Sequence, residues 1–194
     1  MPGATAIGVV FSEGVILASE RRMSYGTFVM SKSARKLFKI TEKIGLACAG
    51  LMSDMQVLVK EATYFANMFK YENNRDMTPH ALSKLLSNLL FANRMFPLIT
   101  QTLVGGFDGE KPGVYVLDPV GSVIQDEYAA VGTGAEISLG VLEASYKPNM
   151  SYEESKELVI KALKAAVERD SGSGNGFDVM AITKKGIKEE FIPA

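Results

Sequence analysis

The side chains whose types and spacing could do chemistry in this chain are threonines, serines, one lysine and a few carboxylates. Histidine and cysteine almost drop out. His80 is the only histidine and Cys48 the only cysteine, so neither a Ser-His-Asp set nor a zinc cluster can be assembled from them. His80 falls in the first turn of an expected helix, where exposure is the usual outcome. Cys48, in Leu46-Ala47-Cys48-Ala49-Gly50, reads as a small buried hydrophobe. Lys36 closes the basic cluster Ser31–Lys36 and opens an apolar strand. It is either a solvated surface lysine or one drawn inward, where a lowered pKa would let it act as a base or electrostatic partner. Two glycine-rich stretches stand out. Asp170–Gly176 runs from helix to strand, the reverse of a Walker loop, and also reads as a glycine-rich helix cap and turn. Gly132-Thr133-Gly134 has the strand-to-helix order of an anion nest. An N-terminal threonine, with its own amine as base, is nucleophilic chemistry that needs no histidine.

The elements that must position these groups come from one globular chain. It has 194 residues, 47% hydrophobic and 22% charged. A sizeable core is available without disulfides. With 21 basic and 22 acidic residues the net charge is −1, which offers no surplus for nucleic acid or an acidic membrane surface. No apolar run reaches the length of a membrane span. The start, MPGATAIGVV, lacks the basic region and long apolar run of a signal peptide. With a lone cysteine, that favours a reducing, cytoplasmic setting.

Residues 4–11 and 14–21 read as strands joined by the turn Ser12-Glu13-Gly14, and 36–40 and 43–49 as a second hairpin. The period then changes. Leu51, Met55, Leu58, Ala62, Phe65 and Phe69 fall on one helical face, with Ser53 or Asp54 as N-cap. Thr78-Pro79 opens a second helix, buried through Leu82, Leu85, Leu86, Leu89 and Leu90 and ended by Pro97. TLVGGFD, GVYVLD and GSVIQDEYAAV are strands. Helices follow from about Ala135 to Tyr146 and from Ser151, where Ser151 and Glu154 make a capping box. FDVMAIT and IKEEFI close the chain as strands. Two antiparallel sheets with a helix pair on each outer side would bury every apolar face. The expected class is therefore α+β, a four-layer αββα sandwich.

A set of short words, taken in order, adds a resemblance. Ile7-Gly8, Gly14-Val15, Ala18-Ser19-Glu20-Arg21-Arg22, Gly26, Ser31-Lys32, Lys36, Ala49-Gly50 and Asp54 come first. Asp118-Pro119-Val120-Gly121, Gly132-Thr133-Gly134, Gly140-Val141-Leu142-Glu143 and Arg169-Asp170-Ser171 follow, then Ser173-Gly174, Gly176 and Asp178. Over residues 4 to about 183 the sequence resembles a proteasome β subunit of the archaeal type, an N-terminal-nucleophile hydrolase. The resemblance implies the αββα sandwich, a heptameric β ring stacked on a second one, and capping rings of α subunits. It implies peptide-bond hydrolysis in a closed chamber by a threonine exposed when a propeptide is removed after a glycine, with no cofactor and no metal. Partners would be proteasome α subunits, other β subunits including a catalytic one, and polypeptide substrates, with no nucleic acid and no membrane.

Carried over position by position, Lys36 would lower the nucleophile's pKa and Glu20 would pair with it. Asp170 and Ser173 would orient the terminal amine and its proton relay, with Thr133 in the same relay. Gly50 would offer its N–H to the oxyanion. Met23, Ala34, Cys48 and Met52 would line an apolar specificity pocket. The departure is at the nucleophile. Counting forward from Gly3 and back from Gly8, the position is Ala4, and a methyl group cannot attack a carbonyl. Residues 1–3 are then a short propeptide-like segment and 4–194 a single hydrolase domain. Thr5 is the only fallback nucleophile, but a one-residue shift turns a strand side chain to the opposite face. The leading expectation is a non-catalytic structural β subunit. The alternatives are an active endopeptidase using Thr5 and, more remotely, an anion- or nucleotide-binding module built on the two glycine-rich loops. The Leu82–Leu90 helix and the Met95-Phe96 end are candidate subunit contacts.

Overall fold

A computed structural model describes residues 3–109 and 111–193. Strands β1 (Thr5–Phe11) and β2 (Gly14–Glu20) form a hairpin, followed by β3 (Met23–Tyr25), β4 (Phe28–Ser31), β5 (Leu37–Lys39) and β6 (Ile44–Gly50). Helices α1 (Met52–Asn73) and α2 (Pro79–Ala92) come next. Then come β7 (Thr100–Asp108), β8 (Lys111–Leu117), β9 (Val123–Asp126) and β10 (Tyr128–Gly132), helices α3 (Ala135–Ser145) and α4 (Tyr152–Arg169), and β11 (Phe177–Thr183) with β12 (Gly186–Ile192).

The strands make two five-stranded sheets, in the orders β10-β1-β2-β11-β12 and β5-β6-β7-β8-β9, and every pairing is antiparallel. Three apolar layers hold them. Ala4, Ala6, Leu17, Leu37, Ala47, Leu103, Val114 and Met180 fill the space between the sheets. Met55, Leu58, Leu82 and Leu86 pack α1 and α2 onto the second sheet, with Leu46 and Val104. Ile7, Val9, Ile16 and Val179 meet Leu142, Leu158, Val159 and Leu163 on the helix side of the first sheet. This is the αββα sandwich. The alternation along β1 is the simplest cause: Ala4 and Ala6 face the other sheet, Ile7 and Val9 face the helices.

Local differences from the sequence expectation have physical reasons. Helix α1 starts one residue before Ser53, with Leu51 as N-cap and no side-chain cap. Leu51 is held instead by its N–H to Ile99 O (2.7 Å), and the Asp54 carboxylate accepts from Ile99 N (2.7 Å). Helix α2 ends at Ala92, five residues before Pro97, because Asn93 turns back to cap it: its side-chain amide donates to Leu89 O (2.8 Å). The run GSVIQDEYAAV is two strands, β9 at the edge of the second sheet and β10 at the edge of the first, so the chain changes sheets around Glu127. The β3–β4 ribbon, turned at Gly26 (φ 59°), was not anticipated. The other two helix caps read from the sequence are present, Thr78 on Ala81 N and the Ser151–Glu154 box.

Candidate active site

The start of β1, the end of β2, the segment before β5, the end of β6 and two glycine-rich loops converge at one end of the sandwich. The loops close on the chain's own backbone. A Cβ on Gly132 would stand 2.1 Å from Ala4 O, and one on Gly3 would stand 2.3 Å from Gly172 Cα. Their glycines are needed for that approach. Thr133 N donates to Ala4 O (2.8 Å), and Ala4 N donates to Thr133 Oγ1 (3.1 Å).

From Thr133 a chain of hydroxyls returns to β1. Its Oγ1 donates to Asp170 Oδ2 (2.6 Å), and Ser173 Oγ donates to the same oxygen (2.7 Å). Ser173 has spent its only proton, so the 2.7 Å contact with Thr5 Oγ1 has Thr5 as donor. Thr5 therefore points its hydroxyl at Ser173, on the same side of β1 as Ile7. Ala4 lies on the other side, in the layer that holds Leu37, the neighbour of Lys36.

Lys36 is the inward lysine, 2% exposed. Its three ammonium protons have three acceptors: Glu20 Oε1 (2.5 Å), Glu20 O (3.0 Å) and Arg22 O (2.6 Å). Glu20 is fully buried. Its Oε1 also accepts from Thr5 N (3.2 Å), and its Oε2 accepts from Arg22 N (2.6 Å) and Gly174 N (3.0 Å). Burial lowers the Lys36 pKa, opposed by Glu20, and burial raises that of Glu20, opposed by Lys36. Each charge is tolerated only because the other is there.

Arg22 is the functional neighbour to which the sequence assigned no role. Its Nε donates to Asn175 Oδ1 (3.0 Å) and its Nη1 to Ser171 O (2.9 Å), so it clamps the loop that carries Asp170 and Ser173. Its sequence signal is its place in the word Ala18-Ser19-Glu20-Arg21-Arg22, two positions after Glu20, and its partners lie about 150 residues away.

Gly50 has φ 145°, and a Cβ there would meet Ile99 O at 2.2 Å. Along β6, Cys48 N donates to Lys36 O while Leu51 N donates to Ile99 O. Strand alternation therefore puts the Gly50 N–H on the β5 side. By that point Ala34 has turned away to donate to Arg21 O. The Gly50 amide is thus directed past the end of β5, beside a cavity of about 300 Å³. Gly3, Met23, Tyr25, Met30, Lys36 and Met52 line it. Met23 and Met52 are thus both on the cavity wall. Cys48 and Ala34 are not among the lining residues. Cys48 is fully buried on the α1 side of the sheet, accepting from Thr102 Oγ1 (3.7 Å), and burial pushes its thiol up to about 12. His80 is exposed, its ring 5.8 Å from that of Tyr115, far in the fold from these groups.

A four-layer sandwich with a buried lysine–carboxylate pair and a hydroxyl relay at the mouth of its first strand defines the class of N-terminal-nucleophile hydrolase folds. The chain belongs to the proteasome subunit family, whose model, described as "Proteasome subunit", matches residues 1–182. It is 51% identical over 189 residues to "Proteasome subunit beta 1" of Nitrosopumilus maritimus (strain SCM1), covering 97% of this chain and 95% of that one. It is 48% identical to "Proteasome subunit beta 1" of Cenarchaeum symbiosum (strain A), covering 97% of each. It is 45% identical to "Proteasome subunit beta 2" of Pyrobaculum calidifontis (strain DSM 21063 / JCM 11548 / VA1), covering 97% and 93%. The similarity supports a proteasome β subunit, and the family implies assembly with α and β subunits.

Proposed function

We propose that this chain is a structural β subunit of a chambered protease, working in the cytoplasm, in which a second β subunit supplies the catalytic threonine. The observation that carries this reading is the side chain at the start of β1. Ala4, bonded through its N–H and its carbonyl to Thr133 and packed in the layer that holds Leu37, offers a methyl group at the position the resemblance gives to the nucleophile. The same methyl leaves nothing to cut the bond after Gly3. Thr5 is one position on, and its hydroxyl is engaged with Ser173.

Lys36, Glu20, Asp170, Ser173 and Thr133 satisfy one another without a nucleophile. Their persistence is therefore explained by folding: removing any of them strands a buried partner. The roles of Gly50 as oxyanion donor and of Met23 and Met52 as pocket walls belong to the same proposal.

One observation favours a second reading, in which Thr5 acts after cleavage at Ala4: its hydroxyl already feeds the Ser173–Asp170 relay. Hydrolysis of a fluorogenic peptide, by this chain assembled with α subunits alone, separates the two. The structural reading expects no turnover, before or after Thr5→Ala. Turnover that Thr5→Ala abolishes establishes the second reading.

A further inference from the structure

The end of the sandwich opposite the candidate site carries two recesses of its own. Strand β2 runs from Gly14 at this end to Glu20 at the site, and β11 returns from Phe177 to Thr183. The two ends therefore lie about 20 Å apart, the length of a seven-residue strand. The β1–β2 and β11–β12 turns stand side by side here, because Gly14 pairs with Thr183. Toward the second sheet, a cavity of about 410 Å³ has Phe107 and Pro112 as its apolar wall, with the exposed Lys184 and Lys185. Toward α4, a cavity of about 350 Å³ has Phe11, Tyr152 and Ile187 in its wall, with Lys185 and the exposed Lys188. Glu13, Thr183 and Lys185 line both cavities, so one ligand can reach from one recess into the other.

The ridge between the recesses has a fixed shape. Lys185 N donates to Thr183 Oγ1 (3.2 Å), whose own proton goes to Gly186 O (3.3 Å). Gly186 has φ 118°, where a side chain is rarely tolerated. Charge here is unbalanced. Three lysines and one carboxylate, Glu13, line the recesses, in a chain whose net charge is −1. Among the described residues none of the three lysines makes an ion pair. Glu190, two positions from Lys188, is already taken: its Oε1 accepts from Lys156 Nζ (2.6 Å) and from the Tyr152 hydroxyl (3.0 Å). Tyr152 therefore gives the wall its ring carbons, packed 5.9 Å from the Phe11 ring. Lys184 Nζ is held 5.7 Å from the centre of the Phe107 ring, a cation set beside an aromatic wall.

Carbon-walled recesses beside uncompensated ammonium groups match a ligand that carries apolar side chains and carboxylates together. A nucleic-acid backbone matches them poorly: its phosphates would have to pass Glu13 and would leave both apolar walls unused. We propose that this end of the subunit docks an acidic peptide segment of a partner protein, with an aromatic or large aliphatic side chain in each recess and carboxylates on Lys184, Lys185 and Lys188. The proposal does not depend on what position 4 can do, because the candidate site lies at the other end.

The test uses particles assembled from this chain, α subunits and a catalytic β partner whose own nucleophile has been removed. The probe is a fluorescein-labelled peptide of aspartates and glutamates around two phenylalanines, followed by fluorescence anisotropy. A second version carries benzoylphenylalanine at one of the two positions. The expected result is saturable binding that weakens as salt is added, and a photo-adduct on this chain beside Phe107 or Tyr152. Changing Lys184→Glu and Lys185→Glu together should weaken binding about tenfold, because each exposed pair contributes modestly and reversal adds repulsion. Glu13→Gln should tighten binding about twofold, a gain that damage to the fold cannot mimic. Alanine in place of both probe phenylalanines should weaken binding about tenfold or more, the scale of losing buried apolar carbon. The three altered side chains are exposed, so particle size should be unchanged. No binding, binding untouched by the lysine changes, or adducts only elsewhere overturns the proposal. Equal binding of the alanine probe overturns the recesses as anchors. A thymidine oligonucleotide that competes as well as the peptide overturns the peptide assignment in favour of nucleic acid.

Discussion

Lys36 and Glu20 show what a buried pair does at the scale of single residues. Removing the amine in Lys36→Met leaves the Glu20 carboxylate buried beside Thr5 N, Arg22 N and Gly174 N alone. The expected cost is ~3–5 kcal/mol, read as a lower urea midpoint. The pH dependence has a definite sign. Burial raises the Glu20 pKa, and Lys36 is the largest influence lowering it. Without Lys36 the native value climbs further. A group with a raised native pKa contributes stability that is fully present below its unfolded value of 4.5 and is lost as pH rises through the native value. The deficit of Lys36→Met should therefore be largest near neutrality and shrink toward pH 4. A double change, Glu20→Leu with Lys36→Met, should recover much of the loss, because it leaves no charge unpaired.

At the scale of elements, helix α4 carries its own acid sensitivity. The Glu154 carboxylate is held below its ordinary value by the Ser151 hydroxyl and then by the Ser151 N–H. Glu190 on β12 is likewise held low, first by Lys156 on α4 and helped by Tyr152. Groups with lowered native pKa values contribute stability above their unfolded value of 4.5 and lose it as pH falls through the native one. Thermal unfolding followed from pH 6 to pH 3 should show that loss. Ser151→Ala should cost about 1 kcal/mol at pH 6 and make the acid slope shallower. An unchanged slope would mean that the cap does not carry it.

These elements also show what a sequence can and cannot announce. Thr78-Pro79 and Ser151–Glu154 announce helix starts because the capping chemistry is local, within three residues. Leu51 could not be read as a cap, because what holds it is Ile99, 48 positions along the chain, by a backbone bond that any residue can make. The β9–β10 run hid a change of sheet for the same reason: β9 pairs with the preceding strand, Val116 with Ile124, but β10 pairs with β1, Ala130 with Ile7, at the far end of the sequence.

At the scale of the whole molecule, the candidate site is assembled from pieces separated by up to 168 positions, as in the contact of Thr5 with Ser173. Composition and periodicity supplied the sandwich and ruled out histidine chemistry. They said nothing of Arg22, whose partners Ser171 and Asn175 come to it only when β2 and β11 pair. Lys36 was open to two readings in the sequence, and its 2% exposure decides for the inward one. Cys48 is the small buried hydrophobe that its own surroundings in the sequence suggest, and it is absent from the cavity lining because one step along β6 moves a side chain from the inter-sheet layer to the α1 face. The same period-two rule separates Ala4 from Thr5, and the account depends on it.

The most direct measurement is the intact mass of this subunit in particles assembled with α subunits and a catalytic β partner. A structural subunit with a methyl group at position 4 should keep the residues that precede Ala4. A mass beginning at Thr5 would contradict that: the chain would expose a threonine after all, and β1 would have to slide to bring its hydroxyl to Lys36.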